Sequence, residues 1–143
     1  MLIGEYTHSV DAKGRIILPA KFREDMGSHF YVTIGFDKCL RAYPFLEWNK
    51  YMENISALPD SDEGARKFKR AIGSNSFECE IDKQGRVLIS GTLREYAVLN
   101  EDVVIIGQTT YIEFWNKDIW DAYNQTEGYN IDDLAGMMAS YGL

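Results

Sequence analysis

Two short segments with the pattern Asp-x-x-Gly-Arg contain the side chains of this sequence that could bind a ligand. They occupy residues 11–15 (DAKGR) and 82–86 (DKQGR). Asp at the first position of a type I turn can accept hydrogen bonds from the backbone N–H groups that follow it, and Gly at the fourth position suits a left-handed residue. The pattern therefore predicts two tight hairpin turns, each followed immediately by an arginine on a fixed backbone.

The polar side chains of the two turns would form a set rich in hydrogen-bond donors if the turns lay close together. The set is Lys13, Arg15, Lys83, Gln84 and Arg86. Lys and Arg donate to phosphates and to guanine edges, and Gln can bind adenine. The alternative is that Asp and Arg only pair within each turn, but an exposed ion pair contributes only about 0–1 kcal/mol. Because both turns keep Asp, Gly and Arg while the residues between them differ, we interpret the arginines as ligand-binding.

The turns belong to two copies of one unit that together span nearly the whole chain. At an offset of 71 residues the copies share identical residues in the same order, which in the first copy are Asp11, Gly14, Arg15, Arg23 and Glu24. One inserted residue then changes the offset to 72, which aligns residues 34–35 with 106–107. The same offset pairs aromatic positions: Tyr43 with Trp115, Trp48 with Trp120 and Tyr51 with Tyr123. The length of the match indicates an internal duplication.

Each copy is predicted to contain the same order of elements. A strand with period-2 alternation, clearest in FECEID (77–82), precedes the turn, and a short apolar strand (IIL or VLI) follows it, which we expect to be buried on both faces. A short helix, a hairpin and a closing helix (45–58 or 117–126) follow, and each copy adds one further helix (61–73 or 130–143). Because two such small units would each leave an apolar sheet face uncovered, we expect one barrel-like core around a pseudo-twofold axis. The predicted class is α+β with a mainly β core.

Composition and motifs argue against several classes of protein. No apolar run reaches the roughly 18 residues that a membrane span needs, the first residues lack the pattern of a signal peptide, and two cysteines are too few for a disulfide framework. We therefore expect a cytoplasmic protein. No paired carboxylates, phosphate-binding loop or Ser/His/Asp order is visible, so we expect no enzyme, no cofactor and no small-molecule substrate. The net charge of −7 by itself argues against a nucleic-acid partner.

Other features of the sequence have more than one interpretation. His8 and Cys79 occupy equivalent positions, but two ligands do not make a zinc site, so we expect core residues and no bound metal. The recurring Trp and Tyr side chains could stack on single-stranded bases, although core packing is favoured. The basic segment 66–70 could be a solvated helix face, a set of salt bridges to an acidic neighbouring subunit or a set of phosphate contacts. The final helix has an apolar stripe that is either core or subunit interface: Ile131, Leu134, Ala135 and Met138.

The segments VDAKGRIILPAKFRE, ECEIDKQGRV, IGFDKCL and IEFWN closely resemble those of the MraZ family, bacterial transcriptional regulators built from two AbrB-like (SpoVT-AbrB) units. The resemblance implies a swapped-hairpin barrel with helices packed outside it, and a homo-oligomeric ring. It also implies binding to double-stranded DNA in the nucleoid, at short direct repeats upstream of a division and cell-wall gene cluster. We expect one AbrB-like unit at 1–58, a helical connector at 59–75 and a second unit with C-terminal helices at 76–143.

The DNA-binding residues of the family map by position onto the two turns. The implied residues are Asp11, Lys13, Arg15, Asp82 and Arg86, to which we add Lys83 and Gln84 because they occupy motif positions. A ring would place several loop pairs on one face, and avidity would then compensate for the acidic chain. An alternative from another class is an antitoxin-like protein-interaction module with the same barrel, which would not need an arginine in both turns.

Overall fold

The structure is a computed structural model that describes residues 1–126 and 129–143. Its strands are β1 (Glu5–Ser9), β2 (Arg15–Ile17), β3 (His29–Ile34), β4 (Leu40–Pro44), β5 (Ser76–Glu80), β6 (Arg86–Leu88), β7 (Asp102–Gly107) and β8 (Ile112–Asn116). Its helices are α1 (Ala20–Met26), α2 (Phe45–Ser56), α3 (Glu63–Ser74), α4 (Gly91–Ala97), α5 (Lys117–Asn124) and α6 (Ile131–Met137), followed by a short 3-10 helix at Ala139–Tyr141. The elements occur in the predicted order, and the α+β class is confirmed.

Strands from both copies are interleaved in one antiparallel sheet. Its strand order is β1-β7-β8-β4-β3-β5, while β2 and β6 form a separate two-stranded ribbon. The first strand of each copy pairs with the hairpin of the other copy, because β1 pairs with β7 and β5 pairs with β3. The sheet is open, with β1 and β5 at its ends. Since each copy completes the sheet of the other, the two halves share one core.

The strand pairing is symmetric with respect to the duplication. Ile16 lies opposite Val87 in the ribbon, and Arg41 of β4 lies opposite Glu113 of β8 in the sheet. Each of these pairs joins equivalent positions of the two copies, at the offsets of 71 and 72. An approximate twofold axis therefore passes through both pairs, and it relates the two arginine turns to each other.

The two hairpins align differently from the prediction. Strands β3 and β7 both have six residues, so Ile34 corresponds to Gly107 and not to Ile106. The second copy has two additional residues between α4 and β7 and one residue fewer in its hairpin loop. The prediction of a single inserted residue was therefore wrong for β7. The two-residue insertion and the one-residue deletion nearly cancel, so β8 returns to the predicted offset of 72.

The ribbon covers the main core with only one of its faces. Ile16 and Val87 are 1% and 0% exposed, and their side chains pack with the sheet, α1 and α4. Their neighbours Ile17 and Leu88 are 42% and 59% exposed. The prediction that the short apolar strands are buried on both faces was therefore wrong, because a two-stranded ribbon lying on the core has an outer face that nothing in the described chain covers.

Aromatic residues at equivalent positions pack together in both copies. The rings of Tyr43 and Tyr51 stack with their centroids 4.8 Å apart, and those of Trp115 and Tyr123 lie 5.1 Å apart. Tyr43, Trp48 and Trp115 are buried. These contacts confirm the predicted core packing, and they leave these three rings too enclosed to stack on bases.

Capping residues begin the helices that flank the core. The Asp62 carboxylate accepts a hydrogen bond from the N–H of Ala65 at the start of α3, and the Ser90 hydroxyl has the same role at the start of α4. Ala65 and Ile72 form the buried side of α3. The first turns of these helices are thus fixed by local sequence.

The last helix contributes little to the core. In its apolar stripe Leu134 is half-buried, while Ile131 is 77% exposed and Met138 38% exposed. Of the two interpretations of this stripe, core packing within the chain is therefore wrong for most of it. None of the described helices combines the length and the apolar character needed to cross a membrane.

Candidate nucleic-acid interface

The first Asp-x-x-Gly-Arg segment forms the tight turn between β1 and β2. The N–H of Gly14 donates to the Asp11 carbonyl (3.0 Å), and Asp11 Oδ1 accepts from the N–H groups of Lys13 and Arg15 (2.9 Å each). Gly14 has a φ of 81°, which residues with a Cβ rarely adopt. The predicted turn chemistry is confirmed: Asp closes the turn and Gly permits its backbone.

The second turn, between β5 and β6, repeats this geometry. Asp82 Oδ1 accepts from the N–H groups of Gln84 and Arg86 at 2.9 and 2.8 Å, and Gly85 has a φ of 77°. The residues between Asp and Gly differ in the two copies, but the hydrogen bonds do not. The side chains at these intervening positions, Lys83 among them, are exposed and available to a partner.

Each arginine is oriented by the aspartate of its own turn. Arg15 Nε donates to Asp11 Oδ2 at 2.7 Å, and Arg86 Nε donates to Asp82 Oδ2 at 2.8 Å. Hydrogen bonds from the arginine backbone N–H groups, followed by those from the side chains, lower the pKa of both aspartates. Both carboxylates therefore stay ionised at neutral pH, and their contribution to the order of the turns is lost only as the pH falls through that lowered pKa.

The ion pairs leave hydrogen-bonding capacity on the guanidinium groups. They use Nε, and in the described part of the chain the two Nη groups of Arg15 make no further hydrogen bond. In the second turn, Nη2 of Arg86 also donates to Oε1 of Gln84. Gln84 thus contacts Arg86 itself, so the two copies present their arginines differently.

The ribbon brings the two arginines to one face. Arg15 lies directly opposite Leu88, and Arg86 lies directly opposite Ile17. Side chains two apart on a strand share a face, and so do direct cross-strand partners. Arg15 and Arg86 are therefore diagonal neighbours on the outer face of the ribbon, with Cα atoms about 7–8 Å apart as is usual for such pairs. All seven residues predicted for the site lie on this ribbon or on its turns: Asp11, Lys13, Arg15, Asp82, Lys83, Gln84 and Arg86.

Two further arginines reach the turns from the helices, and the sequence prediction did not include them. Arg23 of α1 donates through Nε to the Leu18 carbonyl, and Arg94 of α4 donates to the Ile89 carbonyl. The guanidinium of each then lies against the turn of the other copy. A Cβ on Gly14 would stand 2.6 Å from the guanidinium carbon of Arg94, and one on Gly85 would collide with that of Arg23 in the same way.

These contacts give the turn glycines a second reason to be glycine, since a side chain would displace an arginine. The signal for the additional arginines was present in the sequence, because Arg23 and Arg94 are identical positions of the duplication. Their role was missed because each contacts a turn about 60 to 80 residues away along the chain.

We call the two turns, Arg15, Arg86, Arg23 and Arg94 the loop face. It contains six cationic side chains and two carboxylates, which give it a net charge of +4 within a chain of −7. The remainder of the chain therefore carries −11. This separation resolves the conflict between the acidic composition and a nucleic-acid partner, because a local positive face can bind phosphates while the rest of the surface repels them.

The other candidates from the sequence lie elsewhere. In residues 1–126 and 129–143 no three His, Cys, Asp or Glu side chains are grouped as a metal site requires, and Cys79 is a buried thiol whose pKa burial raises to about 11. On α3, Lys69 pairs with Asp60 at 2.8 Å and Lys67 with Glu63 at 3.5 Å. Both pairs join residues of the same chain, so the salt bridges to a neighbouring subunit and the phosphate contacts of this segment stay predictions.

The fold and the site together define a class of protein. It is a duplicated α+β chain whose two copies exchange strands and present a pair of basic hairpin turns on one ribbon. Comparison with known sequences places the chain within this class. A family described as "MraZ protein, putative antitoxin-like" matches residues 1–71 and again residues 72–135. The chain belongs to the MraZ family.

Several similar relatives are proteins called transcriptional regulator MraZ. The protein of Acetivibrio thermocellus is 46% identical over 143 residues, covering 100% of both chains. That of Lachnoclostridium phytofermentans is 45% identical over 100% of this chain and 99% of its own. That of Caldanaerobacter subterraneus subsp. tengcongensis is 41% identical over 100% of both. The family is one of transcriptional regulators and not of enzymes, in agreement with the sequence prediction.

Proposed function

We propose that this protein is a sequence-specific DNA-binding transcriptional regulator whose loop face contacts double-stranded DNA. The observation that carries the proposal is the placement of Arg15 and Arg86 on one exposed ribbon face, each oriented by an aspartate. The names of the relatives support the regulatory role. In this arrangement the turns hold the arginines before binding, so little side-chain entropy is lost when DNA is bound.

The individual residues have different roles in this proposal. Arg15 and Arg86 donate to phosphates and guanine edges, while Lys13 and Lys83 at the exposed turn positions contact phosphates. Asp11 and Asp82 belong to the DNA-binding site because they orient the arginines. Gln84 accepts from Arg86 through Oε1 and keeps its Nε2 donors for a base, so it can contact adenine through both amide groups only when Arg86 moves. The first turn is therefore the stronger binder.

The wider architecture belongs to the same proposal. We assign the two AbrB-like units to 1–58 and 76–143 and the connector to 59–75, and the exchange of strands between the copies supports a swapped-hairpin arrangement. The targets are short direct repeats upstream of the division and cell-wall genes, and the protein acts in the cytoplasm at the nucleoid. Several loop faces on one assembly would bind successive repeats with a high effective concentration.

Salt dependence of binding tests the proposal. The protein is titrated onto a duplex from the upstream region of its own gene over a series of salt concentrations. If each of the six cations of the loop face neutralises one phosphate, log K should fall against log salt with a slope of about −5. A shuffled duplex of equal length is the control, and it should bind roughly 10³-fold or more weakly. Binding that ignores salt, or that is equal for both duplexes, would contradict a sequence-specific DNA site.

The assembly is testable by its mass. A ring needs two different apolar patches, and the described residues offer two candidates away from the loop face: α6 with Ile131 and Met137, and the start of α2 with Phe45 and Leu46. Light scattering at micromolar concentration should give a multiple of 16.4 kDa, and Ile131→Asp should reduce that mass because a buried charge at the interface is costly. A 16.4 kDa monomer for the unmodified chain would contradict the ring.

The antitoxin-like alternative predicts a different result. A protein-interaction module would bind a partner protein through the barrel surface, and it would bind both duplexes equally weakly. The basic charge concentrated on the loop face favours DNA over this alternative. The salt series distinguishes the two functions without knowledge of a partner.

A further inference from the structure

Two large aliphatic side chains stand exposed between the arginines of the loop face. Ile17 is 42% and Leu88 59% exposed, although the side chains before and after them in the chain are among the most buried in the protein. Leaving such residues in water forgoes roughly 1–2 kcal/mol of burial each. They belong to the proposed DNA-binding surface, but phosphate contacts give them no role.

The strand register places Ile17 and Leu88 between the arginines on the same face of the ribbon. Ile17 lies directly opposite Arg86, and Leu88 lies directly opposite Arg15. The outer face of the ribbon therefore carries arginine and aliphatic side chains alternately, in an arrangement that the twofold axis repeats. A face of this kind has positive charge that can bind a polyanion and apolar surface that can contact an apolar group of the same polyanion.

The major groove of DNA presents this combination of features. Its phosphates flank a floor on which thymine alone offers an apolar group, the C5-methyl, and the groove is wide enough to admit a two-stranded β-ribbon. We propose that Ile17 and Leu88 contact thymine methyl groups when the ribbon lies in the major groove, and that they select bases that the arginines do not distinguish. This inference rests on the proposed function and assigns it a recognition surface.

Charge favours DNA over a basic or neutral protein surface as the occupant of these side chains. Six cations within the loop face would repel a basic protein surface, and burying them against a neutral one would cost desolvation energy. DNA satisfies the arginines with phosphates and guanines at the same time as the aliphatic side chains meet the methyl groups. Ile17 and Leu88 are thus specificity-determining residues.

Replacing thymine by deoxyuracil in the bound duplex removes only the methyl group and so tests the contact directly. Wild-type protein should bind the deoxyuracil duplex about three- to fourfold more weakly for each methyl that is contacted. The double variant Ile17→Ala/Leu88→Ala should bind the thymine duplex more weakly than wild type does, and should bind both duplexes equally. Ile3→Ala, which shortens an exposed isoleucine (62% exposed) before β1, is the matched control and should keep the wild-type preference for thymine.

Each other outcome overturns the inference in a recognisable way. Equal binding of the two duplexes by the wild type, or a double variant that still prefers thymine, would remove the methyl contact while leaving DNA binding intact. A double variant with normal DNA binding but a reduced mass in light scattering would assign the two side chains to an interface between copies. A wild-type protein that binds neither duplex would overturn the proposed function together with this inference. A urea midpoint for each variant confirms that it is folded.

Discussion

Arg15→Ala is expected to weaken binding to the upstream duplex by about 5- to 150-fold at constant salt, because an arginine that donates to a base edge or a phosphate contributes about 1–3 kcal/mol. Arg86→Ala should have a smaller effect, since Gln84 already accepts one of the Arg86 donors. Both variants should also reduce the salt slope by about one. The measurement is a fluorescence titration of each variant in the same salt series.

The same substitutions should leave the fold unchanged, which separates the binding role from a structural one. The Asp11–Arg15 pair is partly exposed, with 36% and 28% of its side chains accessible, and such solvent-screened pairs contribute little to stability. Arg15→Lys keeps the charge but loses the planar fork, so it should recover the salt slope and not the sequence preference. Arg66→Ala on α3 is the control arginine outside the loop face. Wild-type affinity in both Arg15→Ala and Arg86→Ala would contradict the site.

The local chemistry of the turns could be predicted from the sequence because it depends on neighbouring residues. Asp11 and Gly14 determine a turn through hydrogen bonds that span four residues, and Ser90 begins a helix through a contact three residues long. The duplication then indicated that two such turns are related. These steps required no knowledge of which strands pair.

The parts that the sequence did not predict all depend on long-range pairing. A run of three apolar residues does not reveal whether one or both faces are covered, so the exposure of Ile17 and Leu88 followed only from the isolation of the ribbon. The contacts of Arg23 and Arg94 with the opposite turns required the exchange of strands between copies. Local sequence therefore predicted the candidate ligand-binding residues of the turns. It did not predict the surface that they form with the side chains of the ribbon and the helices.

A buried ion pair at the twofold axis carries the second large expected effect. Arg41 and Glu113 are opposite each other in the central strands, with 15% and 9% of their side chains exposed and 3.9 Å between Nε and Oε2. Two aromatic rings also contact the Arg41 guanidinium. Phe36 and Tyr111 lie over the guanidinium at 4.7 and 4.6 Å.

The carboxylate of Glu113 is held by uncharged donors as well. It accepts hydrogen bonds from Trp115 Nε1 at 3.2 Å and from Gln108 Nε2 at 3.1 Å. Burial, followed by the charge of Glu113, raises the pKa of the neighbouring Cys39 thiol, which is therefore uncharged at neutral pH. Glu113 is thus the carboxylate that pairs with Arg41 in this cluster. Arg41 Nε is buried and makes no hydrogen bond within the described residues, so its charge depends on this ion pair.

Glu113→Gln is expected to lower the free energy of unfolding by about 3–5 kcal/mol, because it leaves the Arg41 charge buried without its partner. The amide keeps the shape and one acceptor oxygen, so the loss reports the charge and not a cavity. Urea denaturation at a fixed protein concentration measures it, with the slope checked for constancy. Glu63→Gln makes the same change in an exposed pair on α3 and should cost no more than about 0.5 kcal/mol.

The position of this pair on the axis gives it a consequence beyond stability. Arg41 and Glu113 occupy equivalent positions of the two copies. If the first copies of two different chains paired through these strands, Arg41 would be buried against Arg41. If two second copies paired, Glu113 would be buried against Glu113. Opposite charges therefore favour pairing of unlike copies, which is the pairing within one chain. The exchanged double variant Arg41→Glu/Glu113→Arg should recover part of the stability that either single reversal loses. A double variant no more stable than the singles would show that the cost arises from the aromatic packing around Arg41 and not from the complementarity of the charges.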